Sequence, residues 1–501
     1  MKKKLFALLA ALCCFAMTAC SSAGAISTYT ISLNEMPKNF DPQVATEDNE
    51  LMVLANIYDG LFEYIDGTIQ PNVCESWTVS ADGLHYIFNL RTDSTFFLSK
   101  KEQIPVTSKD FAFALQRVLD PSTRSPYYND FKHIDHVISE QDYVLEIKLK
   151  HSDPNFLHKL CSPAAYPCNY DFFRQTNGAY GLRVNDILSN GPYTINYLAD
   201  DGSYATLIRV DGNEKAISRI RISRDNGETD VVTQYQTDKI SGFFAGTADI
   251  HGLEGTVYSF ENQNFNMVFN TDRYTLSSAD VRGALAYYSY GMENSGANLA
   301  AVNQSHSIFN SSVVFDGTAV TSLLEGFEPQ YMNQSPKEML VQGLAQLELT
   351  KAENLKVLIP SDVNYKVVAE NINQLWQKEL GLFFTLELIP NSEIEKRVEA
   401  GNFDIAFFNS QPVTNHPLDT LQLYQNLDDE LHSCVTALEQ GGLSSNESVQ
   451  LINQAHNIII DKAYIVPMCT DSSEYIHKIY FKGIEINPFG NIINLKYATV
   501  K

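Results

Sequence analysis

Hydrophobic and polar positions along the chain follow two periods, one typical of strands and one typical of helices. The strand period is clearest between Trp77 and Leu90, where apolar and polar residues alternate on both sides of Ala81-Asp82-Gly83. Because Asp-Gly readily takes the positive φ of a tight turn, this stretch predicts a β-hairpin. Alternation or short apolar runs predict further strands at 29–33, 143–149, 192–197, 264–270, 403–409 and 464–468.

Apolar residues at helical spacing predict helices between these strands. The clearest start is Thr107-Ser108-Lys109-Asp110, which has the pattern of a capping box and precedes a helix over 111–119. We expect Asn446 to cap a helix over 447–461. Further helices are predicted at 50–62, 281–290, 367–380 and 393–399.

The order of these elements indicates the fold class. A strand at 356–360, a helix at 367–380 and a strand at 385–389 form a β-α-β unit, which predicts a parallel sheet with helices on its faces. Mixed α/β patterns on both sides of a strand near residue 265 indicate two lobes. A returning strand at 464–470 supplies a second crossing, and two crossings form a hinge.

The N-terminal residues are typical of a signal segment. A basic start is followed by an apolar run over 5–16, which is too short to span a bilayer. Met17-Thr18-Ala19-Cys20 resembles the bacterial lipobox. This resemblance implies a signal peptide over 1–19, lipidation of Cys20 and a tether over 20–28, with the body of the protein outside the cytoplasm. The alternative is ordinary secretory cleavage near Ala19.

Composition excludes some partners. The chain of 501 residues has 60 acidic and 36 basic residues, a formal charge of −24. We therefore expect no nucleic-acid partner, because phosphates require a basic face. Hydrophobic residues make up 44% and charged residues 19%, as in globular chains. No later apolar run is long enough to cross a bilayer, so we expect the lipid anchor to be the only attachment to the membrane.

Cysteine and histidine spacing gives no metal or catalytic motif. The cysteines after Cys20 are Cys74, Cys161, Cys168, Cys434 and Cys469, an odd number that leaves at least one unpaired. Cys161 and Cys168 either close a small disulfide loop or stay reduced. His133 and His136 could share a helix face, but no third ligand accompanies them. Hydrolase and nucleotide-binding motifs are absent, so we expect neither an enzyme nor a cofactor.

Short motifs in a fixed order connect these local patterns. They include Phe40-Asp41-Pro42, Tyr58-Asp59-Gly60-Leu61, Glu75-Ser76-Trp77, Ser80-Ala81-Asp82-Gly83-Leu84, Val106-Thr107-Ser108-Lys109-Asp110-Phe111, Arg117, Asp120-Pro121-Ser122-Thr123, Asn190-Gly191-Pro192-Tyr193, Val281-Arg282-Gly283-Ala284-Leu285, Phe403-Asp404-Ile405-Ala406 and Ile465-Val466-Pro467. With this series, the chain resembles the bacterial extracellular solute-binding proteins of oligopeptide, dipeptide and nickel importers over roughly residues 29–499.

The resemblance implies an α/β fold of the two-lobed periplasmic-binding-protein kind (type II), with mixed sheets flanked by helices. Lobe I is expected to comprise 29–49, 181–262 and 470–501, with an inserted subdomain over 50–180 and lobe II over 263–469. It also implies a monomer that captures a peptide or peptide-like solute between its lobes and delivers it to the permease of an ABC importer. Main-chain hydrogen bonds hold such extended ligands against strand edges.

The segment after the strand at 403–409 departs from the family. Aligned on Pro417, the family's Gly-Trp pair becomes Asn409-Ser410, and the aspartate that receives a peptide ammonium group falls on Val413. Since a charge-assisted bond is lost there, we expect no binding of a free peptide N-terminus in the usual way. Asp419 could substitute, or it could be a solvated turn residue. A second hypothesis is therefore a sensor or interaction lipoprotein that keeps the fold but no longer binds ordinary peptides.

Matching positions imply the ligand contacts. Glu35 is the most specific of them, because a carboxylate in the crevice could receive a cationic group; the alternative is a solvated turn residue. The implied set is Glu35, Met36, Asn190, Gly191, Phe265, Asn266, Asn409, Ser410, Gln411, Val413, Thr414 and Asn415.

Overall fold

The computed structural model describes residues 27–65, 68–99, 102–153, 155–246, 248–292, 294–295, 303–352, 354–361, 365–411, 415–487 and 492–501. The predicted signal peptide and Cys20 lie outside the described residues, and so do Val413 and Thr414. None of the helices within the described ranges has both the length and the apolar character that a bilayer crossing requires.

The strands are numbered in chain order. They are β1 (Thr28–Leu33), β2 (Phe62–Ile65), β3 (Thr68–Pro71), β4 (Cys74–Val79), β5 (His85–Leu90), β6 (Thr95–Ser99), β7 (Glu102–Pro105), β8 (Ile134–Gln141), β9 (Val144–Leu149), β10 (Tyr193–Leu198), β11 (Tyr204–Arg209), β12 (Arg219–Arg224), β13 (Gly242–Phe244), β14 (Thr256–Phe269), β15 (Asn303–Gln304), β16 (Val314–Phe315), β17 (Thr318–Ala319), β18 (Lys356–Pro360), β19 (Thr385–Ile389), β20 (Ile405–Ser410), β21 (Ile465–His477), β22 (Phe481–Lys482), β23 (Glu485–Asn487), β24 (Ile492–Asn494) and β25 (Thr499–Val500).

The α-helices are α1 (Asp48–Ile57), α2 (Ser108–Leu119), α3 (Tyr128–Phe131), α4 (Phe156–Lys159), α5 (Tyr170–Gln175), α6 (Val231–Gln236), α7 (Tyr274–Ser277), α8 (Ala279–Ala286), α9 (Val320–Leu323), α10 (Pro336–Gln346), α11 (Lys366–Leu375), α12 (Asn391–Glu399), α13 (Pro417–Gln422), α14 (Asp429–Gln440) and α15 (Ser445–Asp461). A π-helical turn, Trp376–Leu380, extends α11 and ends at Gly381 in the left-handed region.

Local signals located several elements correctly. The predicted hairpin is β4 and β5, which pair antiparallel with Trp77 opposite Phe88. Both bonds of the predicted capping box are present at the start of α2, since Thr107 receives the N–H of Asp110 and the Asp110 carboxylate receives that of Thr107. Strand β18, helix α11 and strand β19 form the predicted β-α-β unit, and the two strands are parallel.

Two local predictions were wrong, and one alternative that the sequence left open is excluded. The first predicted helix ends at Ile57, and Phe62 instead begins β2, because Tyr58 is extended and the Gly60 and Leu61 carbonyls accept N–H groups of 72–74 instead of helical ones. Ser444, not Asn446, caps α15, because Glu447 stands three residues after Ser444 and completes a capping box with it. His136 lies in strand β8 rather than on a helix, so it shares no helix face with His133.

Three sheets carry the fold. In lobe I the strand order is β1-β12-β11-β10, with β1 parallel to β12. The subdomain contains the antiparallel sheet β4-β5-β9-β8. The third sheet has the order β13-β21-β14-β20-β18-β19 and runs from the lobe I side at β13 into lobe II; β20, β18 and β19 are parallel, while β14 and β21 are antiparallel to their neighbours.

Each sheet packs in a hydrophobic core of its own. Tyr29 and Tyr193 lie in the lobe I core, Phe88 in the subdomain core, and Phe265 and Trp376 in the lobe II core. The buried side chains of α1 belong to the lobe I core, although the helix falls in the range predicted for the subdomain. Separate cores allow the bodies to move relative to one another as units.

The two crossings between the lobes are long, paired strands. β14 and β21 are antiparallel from Thr256–His477 at one end to Val268–Ile465 at the other. The Val268 end lies in the lobe II core, whereas Tyr475 lies in the lobe I core. Between these ends, several residues of both strands are only half-buried. The middle of this ribbon is therefore the place where bending disturbs the least packing.

The five described cysteines are all free thiols, so Cys161 and Cys168 stay reduced. No group of three or more His, Cys, Asp or Glu side chains in the described residues has the arrangement of a metal site.

Candidate functional site

Three parallel strands of lobe II end at one edge of the sheet. β18 ends at Pro360, β19 at Ile389 and β20 at Ser410. Ligands of open α/β sheets bind in the crevice outside the carboxyl ends of the strands. This edge is therefore where the topology places a ligand.

Amide side chains fix the end of β20 at this edge. The N–H of Asn409 donates to Asn391 Oδ1 at 2.8 Å, and Asn391 Nδ2 donates back to the Asn409 carbonyl at 2.9 Å. Asn409 Nδ2 donates to Gln263 Oε1 at 3.0 Å, which links β20 to β14. The Asn409 Oδ1 atom is buried and has no protein donor.

Further amide side chains, those of Asn264 and Asn266, lie on the opposite face of the same strands. Asn266 Nδ2 donates to Ser410 Oγ at 3.0 Å, and the buried Asn266 Oδ1 has no protein donor. Asn310 Nδ2 donates to Asn264 Oδ1 at 2.9 Å and holds the 305–313 segment against β14. Two buried amide oxygens, one on each face of the sheet, are thus left as acceptors near the crevice. A buried acceptor without a donor is costly unless another group satisfies it.

A cavity of about 330 Å³ lies where the three bodies meet. The subdomain contributes Glu63, Tyr64 and Tyr166 to its wall, and lobe II contributes Ser312 and Val314. The segment that follows Glu485 and the residue Asn494 complete the wall from lobe I. Its volume is in the range of small-molecule sites, which begin at roughly 300 Å³. Carboxylates but no lysine or arginine appear among the described residues that line it, so its wall favours neutral or cationic groups over anions.

One residue of this wall, Glu63, belongs to a buried ion triad whose other members, Lys496 and Asp59, lie outside the cavity lining. Lys496 Nζ lies 2.8 Å from Asp59 Oδ1 and 3.3 Å from Glu63 Oε1, and the lysine side chain is 4% exposed. Burial by itself lowers the pKa of Lys496, but the two carboxylates outweigh burial and hold this pKa above its usual range. Glu63 also accepts hydrogen bonds from Asn494 and Tyr497, each at 2.7 Å. The triad therefore ties the C-terminal part of lobe I to the subdomain.

The subdomain and lobe II also touch directly beside the crevice. Asn155 Nδ2 donates to Asp419 Oδ1 at 2.8 Å, and Tyr64 is hydrogen-bonded to the Asn415 side chain. The rings of His158 and His416 lie 5.3 Å apart, centroid to centroid. These contacts join a body built on the lobe I side of the hinge to lobe II, and they exist only while the lobes are close together.

The sequence-predicted residues are distributed over several places. Asn266, Asn409 and Ser410 meet at the sheet edge, and Asn415 lies in the contact between subdomain and lobe II. Gln411 is exposed just after β20. Val413 and Thr414 lie outside the described residues.

Other predicted residues have structural roles in lobe I and lobe II. Met36 and Phe265 are buried in the two cores. Asn190 Nδ2 donates to the Asp59 carbonyl at 2.9 Å while its Oδ1 accepts the Asp59 N–H at 3.1 Å, so this residue positions one member of the triad. Gly191 packs directly on the Ile57 backbone.

Glu35 lies away from the crevice cavity. Its side chain is 76% exposed, and its closest cation is Lys38 at 3.9 Å. This arrangement corresponds to the solvated turn residue that was the alternative for this position, although the contact set as a whole remains a prediction. Asp419, by contrast, is half-buried in the first turn of α13 and accepts the hydrogen bond from Asn155, so it is not a solvated turn residue.

Sequence reasoning missed the residues that form the cavity wall. Glu63 and Tyr64 stand in β2, directly after the stretch 50–62 that was predicted to be helical, and no element was predicted for them. The available signal was the Asp-Gly pair at 66–67 between two alternating runs, which favours a hairpin over a helix. Nothing near Lys496 in the sequence indicates that this lysine is buried between two acids.

The chain is similar over most of its length to known binding proteins. The family model "Bacterial extracellular solute-binding proteins, family 5 Middle" matches residues 68–429. The dipeptide-binding protein DppE of Bacillus subtilis is 22% identical over 515 residues, covering 94% of this chain and 91% of that protein. The periplasmic murein peptide-binding protein MppA of Escherichia coli is 23% identical over 502 residues, covering 91% of this chain and 90% of that protein.

The fold is shared with solved structures as well. The structure of HbpA2 from Haemophilus parasuis superposes with a TM-score of 0.75 at 19% identity and covers 95% of this chain and 100% of that one. The unliganded open form of MppA superposes with a TM-score of 0.71 at 18% identity and covers 95% of this chain and 99% of that one. At such identities the likeness concerns the fold alone, and it confirms the two-lobed α/β architecture expected from the sequence.

Proposed function

The chain belongs to the family 5 bacterial extracellular solute-binding proteins, and we propose that it captures a peptide or peptide-like solute between its lobes and delivers it to the permease of an ABC importer. The observation that carries the proposal is the cavity of about 330 Å³ whose wall comes from lobe I, the subdomain and lobe II together. A site built from three bodies is complete only when the lobes are closed, as solute capture requires.

Two features support a peptide-like ligand. The Asn266 and Asn409 amide oxygens are buried acceptors beside the end of β20, outside the cavity wall, and the N–H donors of an extended ligand that reaches this sheet edge would satisfy them. The cavity wall contains the carboxylates of Glu485 and of Glu63, which is already paired with Lys496, and no described lysine or arginine lines it, so the wall disfavours anionic ligands. Both features agree with the dipeptide- and murein peptide-binding names of the relatives.

Calorimetry with pools of di- to pentapeptides tests the proposal directly. The wild-type protein is expected to bind at least one pool. Ser312→Trp places an indole in the cavity and should abolish binding, whereas Ser433→Trp on an exposed face of α14 should bind as wild type does. Native mass spectrometry of protein purified without refolding would identify a ligand retained from the cell. Absence of binding by every pool, or equal binding by Ser312→Trp, would contradict the proposal.

We also propose that Cys20 carries the lipid that holds the protein at the outer face of the membrane. Support comes from the lipobox-like Met17-Thr18-Ala19-Cys20, which lies outside the described residues. Acyl chains anchor durably when two or more are present. Cys20→Ser should move the protein from the membrane fraction to the soluble extracytoplasmic fraction, whereas Cys74→Ser, within the fold, should leave it membrane-bound.

The sensor or interaction hypothesis is favoured by one observation, the valine at the position where the family places its ammonium-binding aspartate. A folded protein that gives no heat with any peptide pool, and whose loss leaves peptide uptake unchanged, would favour that role over transport.

A further inference from the structure

Two histidines face each other across the contact between the subdomain and lobe II. His158 belongs to α4, and His416 caps α13 from the other body. Their ring centroids are 5.3 Å apart, and Phe315 packs on the His416 ring at 5.9 Å. A cavity of about 410 Å³ borders both rings, so water and protons reach the pair without unfolding of either body.

The hydrogen bond at His416 requires a neutral ring. Its Nδ1 atom accepts the N–H of Leu418 at 3.2 Å, which places the ring proton on Nε2. A second proton would enter at Nδ1, where it would face the Leu418 N–H and break the cap of α13. Across the contact, the buried His158 Nδ1 has no protein partner that could stabilise a charged ring.

The charged groups around His158 and His416 only partly compensate for the positive charge that protonation would place on the two rings. The subdomain supplies Lys159, which is paired with Asp153 at 2.8 Å, and lobe II supplies Asp419. The remaining titratable groups near the pair are Asp130, Lys132, His133 and His151 of the subdomain and Asp316 of lobe II. Burial, His158 and Lys159 lower the pKa of His416 to about 3. Burial lowers the pKa of His158 to about 4, although Asp153 opposes the change.

We propose that His158 and His416 form a pH-sensitive latch, which holds the subdomain against lobe II while both rings are neutral and releases it when they become protonated. The inference rests on the proposed function in one respect, that the lobes separate and close again. Separation returns both rings to water, where the ordinary histidine pKa is 6.5. The open form therefore takes up protons as the pH falls below about 6.5, and the closed form loses its advantage in that window.

Asp130 acts in the opposite direction. Burial raises the pKa of Asp130, Lys159 counteracts burial, and Asp419 adds to the rise, so acidification favours the form in which this carboxyl group is buried. Between pH 7 and pH 5, each histidine whose pKa returns to its ordinary value shifts the equilibrium about 20-fold toward the open form.

A distance measurement without added solute tests the latch independently of the proposed function. Fluorescence transfer is followed in the full-length protein between dyes at Tyr197 in lobe I and Leu423 in lobe II, both exposed. Acidification from pH 7.5 to 5 should lower the closed fraction of the wild type by tenfold or more. The double variant His158→Phe/His416→Asn should respond little, because asparagine keeps an acceptor for Leu418 without titrating. For each single variant, the change in the logarithm of the closed-to-open ratio should be about half of the wild-type change. His251→Gln, at an exposed position, should respond as wild type does.

Two results would overturn the latch. One is a wild-type distance that does not change between pH 7.5 and 5. The other is a double variant that opens as readily as the wild type, since other groups would then control the response. If circular dichroism shows a lower melting temperature for the double variant than for the wild type, the pH responses of the two single variants are compared with the wild type instead. A failure to bind any peptide pool would count against solute capture and would leave this distance measurement unaffected.

Discussion

Asp41 of lobe I and Arg117 of the subdomain form a buried ion pair. Arg117 Nη1 lies 3.0 Å from Asp41 Oδ1, and both side chains are 8% exposed. The same nitrogen donates to Gln43 Oε1 at 2.6 Å, and the guanidinium group lies 4.3 Å from the centre of the Phe173 ring. The pair fixes helix α2 of the subdomain to the segment that follows β1.

We predict that Arg117→Met destabilises the protein strongly. Methionine preserves much of the packing but leaves the Asp41 carboxylate buried without its cation, and such a change typically costs about 3–5 kcal/mol. Urea unfolding followed by tryptophan fluorescence measures the change, since Trp77 lies in the subdomain. Arg91→Met is the matched control, because its partner Asp93 is on the surface. Similar unfolding midpoints for the two variants would show that the buried pair contributes little.

Lys496→Met should destabilise the protein in a pH-dependent way. At neutral pH the variant leaves Asp59 and Glu63 facing each other without the ammonium group, at a cost of about 3–5 kcal/mol. Acid relieves the repulsion between two neighbouring carboxylates, so the difference from wild type should be smaller at acidic than at neutral pH. Thermal melts at pH 7.5 and 4.5 measure it, with the exposed Lys215→Met as control. A difference that stays constant with pH would mean that lost packing, not charge, explains the effect.

The elements that could be predicted from the sequence depend on neighbours in the chain. The hairpin around Asp82-Gly83 and the capping box at Thr107 involve only residues within a few positions of one another. The correct cap of α15 could also have been predicted from neighbouring residues, because Ser444 and not Asn446 is followed three residues later by a glutamate. Apolar patterns also predicted parts of β14 and β21, at 264–270 and 464–470, but not the full length of either strand.

The site depends on contacts that no local pattern encodes. Lys496 and Asp59 are separated by most of the chain, and only the folded lobes bring them to 2.8 Å. Phe265 and Asn266 are adjacent on β14, yet their side chains point to opposite faces of the sheet, and the sequence does not show which face meets the crevice. Motif resemblance located Asp41 and Arg117 as family residues, but only the structure shows that they pair.

Gly191→Ala should destabilise the junction between α1 and β10. A Cβ atom at this position would lie 2.7 Å from the carbonyl carbon of Ile57, so one of the two segments must move. Such overpacking typically costs about 1–3 kcal/mol. Gly326→Ala is the control, since a Cβ atom there meets nothing within 4 Å. The measurement is the midpoint of urea unfolding, and equal midpoints for the two variants would show that the junction relaxes freely.

The last prediction concerns the acid sensitivity of lobe II. His456 on α15 is 3% exposed and stacks on Phe309 at 5.9 Å. Burial lowers the pKa of His456 to about 4, although Asn457 opposes the change. Since the unfolded chain binds a proton near pH 6.5 and the folded one does not, the contribution of this residue to stability is complete above pH 6.5 and decreases as the pH falls toward 4. Between pH 7 and pH 4.5 the loss amounts to about 2 kcal/mol.

His456→Phe removes the titrating group and keeps a ring against Phe309. Its free energy of unfolding should therefore decrease less than that of the wild type over this pH range, whereas the exposed His432→Phe should follow the wild type. Chemical unfolding at several pH values gives the dependence of the free energy of unfolding on pH for each variant and for the wild type. A variant with the full acid sensitivity of the wild type would place the responsible groups elsewhere in the protein, and the latch histidines His158 and His416 would be the next to replace.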